Sequence, residues 1–203
     1  MIYQASDGTM FVFLFRFIIF LNMKTFLEIG TCDFQTLGYL GDLGWKGVMI
    51  EPIPKYYQSL TSQSTHPNIY YINAAIDWEE GERTMYMASE EQIQKLPYSV
   101  GMSSFFPKPD ILSEEITVKT LTLEKVFEMC GVDRVDFLKI DAEGYDAQII
   151  KMFPFDRFKP NHIKVEKEHM DDVELAGTLR ILSLNGYHCE WTERDIFAFL
   201  VVK

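Results

Sequence analysis

Cysteine is scarce in this 203-residue chain: Cys32, Cys130 and Cys189 are odd in number and widely spaced. With no CxxC pair and no Cys/His cluster, a disulfide framework and a zinc site are both excluded, and a reducing compartment is expected. Basic residues are scarce too. Nineteen Lys and Arg against thirty Asp and Glu leave a net charge of -11. No basic stripe is available to displace counterions from phosphates, which argues against a nucleic-acid partner and for a small ligand in the cytoplasm.

A run of about 20 apolar residues, enough to cross a membrane, is also missing. The apolar run from Met10 to Leu21 is shorter and is broken by Arg16. Its length suits the core of a signal peptide. However, Asp7 precedes it, no basic segment does, and no small-x-small cleavage site follows. Met23 opens "MKTFLEIG", a sensible cytosolic start. Residues 1–22 therefore read as an apolar extension, either an upstream-extended start or an added strand or helix. Membrane association through residues 10–21 is the weaker reading, and residues 23–203 form the domain.

What is present is the profile of one globular domain, 47% hydrophobic and 24% charged, without repeats or low-complexity tracts. Residues 25–29 read as a buried strand and 34–43 as a helix ending at Gly44. "KGVMIEP" is a second strand, "PKYYQSLTSQ" a helix and "NIYYINAAI" a third strand. "GERTMYMAS" alternates like a strand, and 89–115 reads as a long irregular insert of the kind that covers a site. "ITVKTLTLEKVFEMCG" gives a short strand and a helix capped near Thr122 and ended by Gly131. "VDFLKID" and "HIKVEKE" are strands, each followed by a helix, and "YHCEW" and "DIFAFLVV" form a closing antiparallel pair. The fold expected is a three-layer α/β domain with a mostly parallel sheet.

In such sheets ligands bind outside the carboxyl ends of the strands, so the residues just after each strand carry the weight. After the first strand comes Gly30, with Thr31, Cys32, Asp33 and Phe34 behind it. The second and third glycines of GxGxxG are absent, and Asp33 at a helix start would repel phosphate. That disfavours NAD and suits a ligand with an ammonium, a sulfonium or hydroxyls. Cys32 reads as a small space-filler rather than a nucleophile. Glu51, 21 residues after Gly30 at the end of the second strand, is placed to accept from a ribose diol.

The third motif is "DFLKIDAEGYDAQII". Lys139 and Asp141 share one face of its strand and are expected to pair, because charges at a buried strand mouth are costly unless paired or used. Asp141 and Glu143 read as functional and Asp146 as an ordinary helix-start charge. Asp141, Glu166 and His169 are the candidate general bases. Ser103 and Ser104, in the insert with Tyr98, Phe105 and Phe106, are candidate substrate contacts. Tyr56 and Tyr57 read as helix packing. Asp141, Glu143 and Glu166 could hold a hard divalent cation through oxygen, but their spacing is not diagnostic and no metal is expected.

Taken together, "FLEIGTCDFQTL", "GVMIEPIPKYYQSL", "NAAI", "GMSSF", "VKTLTLEKVF", "DFLKIDAEGYDAQII" and "LNGY" resemble the FkbM family of S-adenosylmethionine-dependent methyltransferases. The likeness spans Thr25 to Phe199. It implies a Rossmann-like class I methyltransferase fold with seven strands and a reversed final hairpin. It also implies methyl transfer to an oxygen of a small hydroxylated molecule, sugar or glycan. By position, Glu28, Gly30 and Thr31 would border the methionine part of the cofactor, with Asp33 as a further acceptor. Glu51 would hold the ribose, Asn73, Ala74, Ala75 and Ile76 would lie along the adenine, and Asp141 would line the methyl-transfer mouth beside Glu143. Members carry Ala-Asn-x-Gly where this chain has Thr31 to Phe34. The alternative reading is a non-catalytic S-adenosylmethionine-binding module with a regulatory or assembly role.

Overall fold

Four strand segments, each four or five residues long, are buried almost end to end, the mark of strands covered on both faces. They are β1 (Thr25–Ile29), β2 (Lys46–Ile50), β7 (Phe137–Ile140) and β8 (His162–Glu166). The structure is a computed structural model and describes residues 25–34, 36–63 and 66–201. The apolar extension 1–22 lies outside the described residues.

The remaining elements, in chain order, are α1 (Pro54–Gln63), β3 (Ile69–Ile72), β4 (Ala75–Ile76), β5 (Gly81–Ala88), α2 (Glu90–Lys95) and β6 (Ser113–Leu121). Then come α3 (Leu123–Cys130), α4 (Asp146–Met152), α5 (Asp172–Leu184), β9 (Tyr187–Trp191) and β10 (Asp195–Leu200). Seven strands form one sheet in the order β3-β2-β1-β7-β8-β10-β9. All neighbouring pairs are parallel except β10, which runs antiparallel to both β8 and β9. This is the class I methyltransferase arrangement with its reversed final hairpin. β4, β6 and β5 make a smaller sheet beside it.

One core cluster on the sheet includes Leu27, Ile29, Val48, Ile50, Leu138, Ile140 and Val165. A smaller cluster gathers Phe26, Leu37, Leu40, Trp45, Met49, Leu60 and Ile69. The split follows the two-residue alternation of each strand. Helix ends are held as their residues dictate. Thr122 accepts from the Lys125 backbone N–H at the start of α3, and Gly131 closes it in the left-handed conformation at φ 60°. Asp171 and Glu174 form a reciprocal capping box on α5. The three cysteines are free thiols. No helix among the described residues is long and apolar enough to cross a membrane.

Three elements differ from the sequence expectation. No α-helix covers 34–43: the described chain there turns, with a 3-10 segment at Gly38–Leu40, and each backbone N–H from Leu40 to Gly44 donates three residues back. Glycines at 38, 41 and 44 fall every third residue, and each costs an α-helix about 1 kcal/mol relative to alanine. The third strand is broken. Asn73 leaves the sheet to donate to the Glu51 and Pro52 carbonyls at 2.8 and 3.0 Å, and Ala75–Ile76 crosses to the small sheet. The insert is not irregular throughout. It holds α2, capped by Ser89, a 3-10 turn at Pro97–Gly101 and the start of β6. A six-residue helix is too short to display a period.

At the centre of the large sheet, Glu28 and Lys139 are direct neighbours in the β1–β7 register. Their side chains pair at 2.9 Å, with residue exposures of 0% and 5%. Lys139 also reaches Asp141 at 3.6 Å, so the pair expected from the sequence exists as the longer arm of a triad. Glu28 further accepts from the Leu37 backbone N–H at 3.1 Å, tying the turn to the sheet. Removing one member of a buried pair leaves the other charge uncompensated. Lys139→Met is therefore expected to lower unfolding free energy by about 3–5 kcal/mol, read as a lower urea midpoint.

Candidate active site at the carboxyl ends of the strands

The chain runs outward from β1 to β2 and β3, then returns across the sheet to β7 and β8. Strand order thus reverses between β1 and β7, where open α/β sheets form their crevice. A cavity of about 230 Å³ lies there. Its floor depends on Gly30. At φ +79°, a Cβ on Gly30 would stand 1.8 Å from the Asp141 carbonyl oxygen. Only glycine lets the end of β1 touch the end of β7 this closely. Cys32 follows at φ 51°, in the left-handed region that a side chain rarely adopts.

That turn aims the Cys32 backbone N–H at Glu51, and the segment after β2 adds the Ile53 N–H. Glu51 Oε2 accepts from Cys32 at 2.7 Å and Oε1 from Ile53 at 2.7 Å. The side chain is buried yet lines the cavity, and each carboxylate oxygen keeps a further lone pair for a ligand. Burial pushes its pKa up to about 7, against the two backbone donors, with Asp33 adding to the rise. Thr31, Ala74, Ala75 and Ile76 continue this wall.

At the other end, Asp141, Glu143 and Glu166 line the cavity with Ser103, Tyr145 and Arg194. Glu143 sits at φ 51°, the second non-glycine left-handed residue, and accepts from the Lys108 ammonium. Lys108 Nζ also lies 2.8 Å from His169 Nε2, itself 3.0 Å from Glu143. Asp146 is spent on structure. It accepts from the Ala142 and Gly144 backbone N–H groups at 3.0 and 3.1 Å, and burial raises it to about 7. Arg194 is held by Glu168, Nε to Oε2, at 2.6 Å.

Glu166 is different. It is 9% exposed, and its Oε2 has no hydrogen-bond partner. Burial pushes its pKa up to about 8, and the carboxylates of Asp141, Glu143, Asp146 and Glu168 push the same way. Two more residues of the cavity wall carry a buried oxygen without a hydrogen-bond partner, Ser103 Oγ and Tyr56 Oη.

Of the residues singled out in the sequence, the cavity brings together Gly30, Thr31, Glu51, Ala74, Ala75, Ser103, Asp141, Glu143 and Glu166. Its wall does not include Glu28, Asp33, Asn73, Ser104 or His169. Glu28 is committed to Lys139, and Asn73 to two carbonyls. Ser104 accepts from the Phe106 N–H at 3.2 Å, and His169 stands behind Glu143. Phe34 reaches the wall and is 60% exposed. The structure adds Tyr56, Lys139, Tyr145 and Arg194 to the wall, and Lys108 behind Glu143. Tyr56 was foreseeable from its place in the first turn after Glu51. Lys108 and Arg194 come from loops that leave no period.

Glu143, Glu166 and His169, rather than the trio with Asp141, offer ligand atoms within 4.8 Å of one another. Lys108 already supplies a cation to two of them, so a metal ion would have to displace its ammonium.

The reversed hairpin, the strand order and a cavity at the switch point define the class I methyltransferase fold. Residues 28–189 match the Methyltransferase FkbM domain, and the chain belongs to that family of S-adenosylmethionine-dependent methyltransferases. Similar solved structures include Aeropyrum pernix fibrillarin with natively bound S-adenosyl-L-methionine, at 12% identity and TM-score 0.45 over 88% of this chain and 66% of that one. The ribosomal protein L11 methylase of Lactobacillus delbrueckii subsp. bulgaricus is 11% identical, TM-score 0.45, over 98% and 88%. A methyltransferase from Pyrococcus furiosus is 10% identical, TM-score 0.45, over 100% and 89%. A search of curated proteins gave no match. The donor set fits the family's cofactor: a carboxylate with spare lone pairs, a strip of small residues and three buried oxygens awaiting partners.

Glu51, Asp146 and Glu166 all bind their protons more tightly folded than unfolded. Their stabilisation is complete below the unfolded carboxyl values, about 4, and is lost as pH rises through about 7 to 8. Melting of the cofactor-free protein is therefore expected to fall from pH 5 to pH 9. Glu166→Gln should flatten the upper part of that fall, which calorimetry across pH would show.

Proposed function

We propose that this chain transfers a methyl group from S-adenosylmethionine to a hydroxyl of a small molecule, sugar or glycan, with Glu166 as the general base. The observation that carries this reading is the unpartnered Glu166 Oε2, buried at the end of β8 on the cavity wall. Bound S-adenosylmethionine supplies an electrophilic methyl group. The chain's tasks are then to orient that group, exclude water and remove one proton from the acceptor.

Glu51 accepts from the ribose hydroxyls, while Thr31, Ala74 and Ala75 flank the cofactor. Glu166 is suited to proton removal because its pKa of about 8 lies close to neutral pH. His169 is a poorer base, since its Nε2 is engaged by Lys108 and Glu143. Asp141 is drawn toward Lys139 and serves to shape the mouth. Ser103 Oγ, buried without a partner, is offered to a further acceptor hydroxyl.

Labelled cofactor with a panel of sugars, glycans and small metabolites tests the reaction, and the label is expected in an ether linkage. Glu166→Gln should lower kcat by about 10²–10⁴-fold and leave S-adenosylhomocysteine affinity intact. Glu51→Ala should do the reverse, weakening that affinity by about 1–3 kcal/mol. Wild-type turnover in Glu166→Gln removes Glu166 as base. Failure of the wild type to bind S-adenosylhomocysteine removes the proposed function.

A further inference from the structure

Tyr56 stands in the first turn of α1, five residues after Glu51. Its ring belongs to the main core cluster, and the residue is 4% exposed. Packing accounts for the ring, and a phenylalanine would pack as well. It does not account for the hydroxyl, which is buried and has no hydrogen-bond partner, although the residue lines the cavity together with Glu51 and Cys32 and feels the charges of both. Native proteins rarely leave a buried hydroxyl unsatisfied, and each instance calls for a missing partner.

Chemistry narrows that partner. Burial raises the phenol's pKa, and Cys32, Glu51, Asp33 and Glu90 add to the effect, so the hydroxyl keeps its proton and donates. Glu51, its neighbour on the wall, can only accept when ionised. A vicinal ribose diol offers both complements at once, because each hydroxyl donates one bond and accepts others.

Resting on the reading that this cavity holds S-adenosylmethionine, we propose that Tyr56 is a cofactor-binding residue. Its hydroxyl donates to one ribose oxygen, while Glu51 accepts from the diol. Donor and acceptor then form a two-point clamp that recognises the sugar by hydrogen-bond polarity.

Tyr56→Phe tests this, because effects on stability and on binding carry opposite signs. Removing an unsatisfied buried hydroxyl while keeping the ring leaves cofactor-free melting unchanged or raised. The same change is expected to weaken S-adenosylhomocysteine binding by about tenfold, measured by calorimetry. The 2′-deoxy and 3′-deoxy analogues locate the contact: the one lacking the bonded hydroxyl should bind wild type and variant alike. Unchanged affinity for S-adenosylhomocysteine overturns the clamp, as does a tenfold loss that persists against both analogues. If the wild type binds S-adenosylhomocysteine and only the variant's response fails, the clamp falls and the proposed function stands. If the wild type binds none, both fall.

Discussion

The buried ion pair between Glu28 and Lys139 is the interaction on which the arrangement turns. Two charges in the middle of a sheet are costly to desolvate, and an apolar pair of similar volume would often be as stable. Here the pair does something that an apolar pair could not. Burial works to lower the Lys139 pKa, but Glu28 and Asp141 outweigh it and hold the ammonium above its usual value. One charge therefore joins the interior of β1 to the mouth of β7. Because Glu28 and Lys139 are register partners, the pair also penalises any slip between these strands. A slip would separate Gly30 from the Asp141 carbonyl, and with that contact the floor of the cavity would open.

Once the floor is fixed, the strained residues become intelligible. Cys32 and Glu143 are the two non-glycine residues in the left-handed region among the described ones, and both lie on the cavity wall. Such conformations cost about 1–3 kcal/mol each and persist where the surroundings over-determine them. Cys32 is held by the bond from its N–H to Glu51, and Glu143 by Lys108 and His169. The same wall carries three of the buried oxygens without partners, a further cost in the absence of ligand. Strain and unmet hydrogen bonding are thus concentrated at one place, while the core clusters beneath are apolar and closely packed.

Much of the fold was legible in the sequence because it follows from short-range periodicity. The short, mainly apolar β1, β2 and β7, the alternating β8, the Thr122 and Gly131 caps and the closing hairpin all announce themselves locally. The turn at 36–44 misled because its apolar residues suit a helix while its glycines, three apart, prefer a tighter coil. In the site, position after a strand was a good guide to Gly30, Glu51, Asp141 and Glu166, which the cavity gathers. It could not separate wall from support. Asn73 and Glu28 sit at equally suggestive places, yet their polar groups are consumed by groups distant in sequence, the Glu51 and Pro52 carbonyls and the Lys139 ammonium. Lys108 and Arg194 were invisible for the converse reason: their relevance exists only once the insert and the final hairpin fold over the mouth.

The carboxylates around that mouth form a graded set. Asp141 has Lys139, Glu143 has Lys108 and His169, Asp146 has two backbone N–H groups, and Glu168 has Arg194. Asp141 and Asp146 find their partners within their own motif, whereas Glu143 and Glu168 depend on Lys108, His169 and Arg194 from segments distant in sequence. Glu166 is the member with a buried oxygen left over. Placing so many acids together would ordinarily blur their titration, since interacting sites share their protons. Giving the others dedicated partners concentrates the unmet demand for a proton on a single side chain at the end of β8. On the proposed function, that asymmetry among chemically similar groups is what gives the acidic cluster a direction for proton movement.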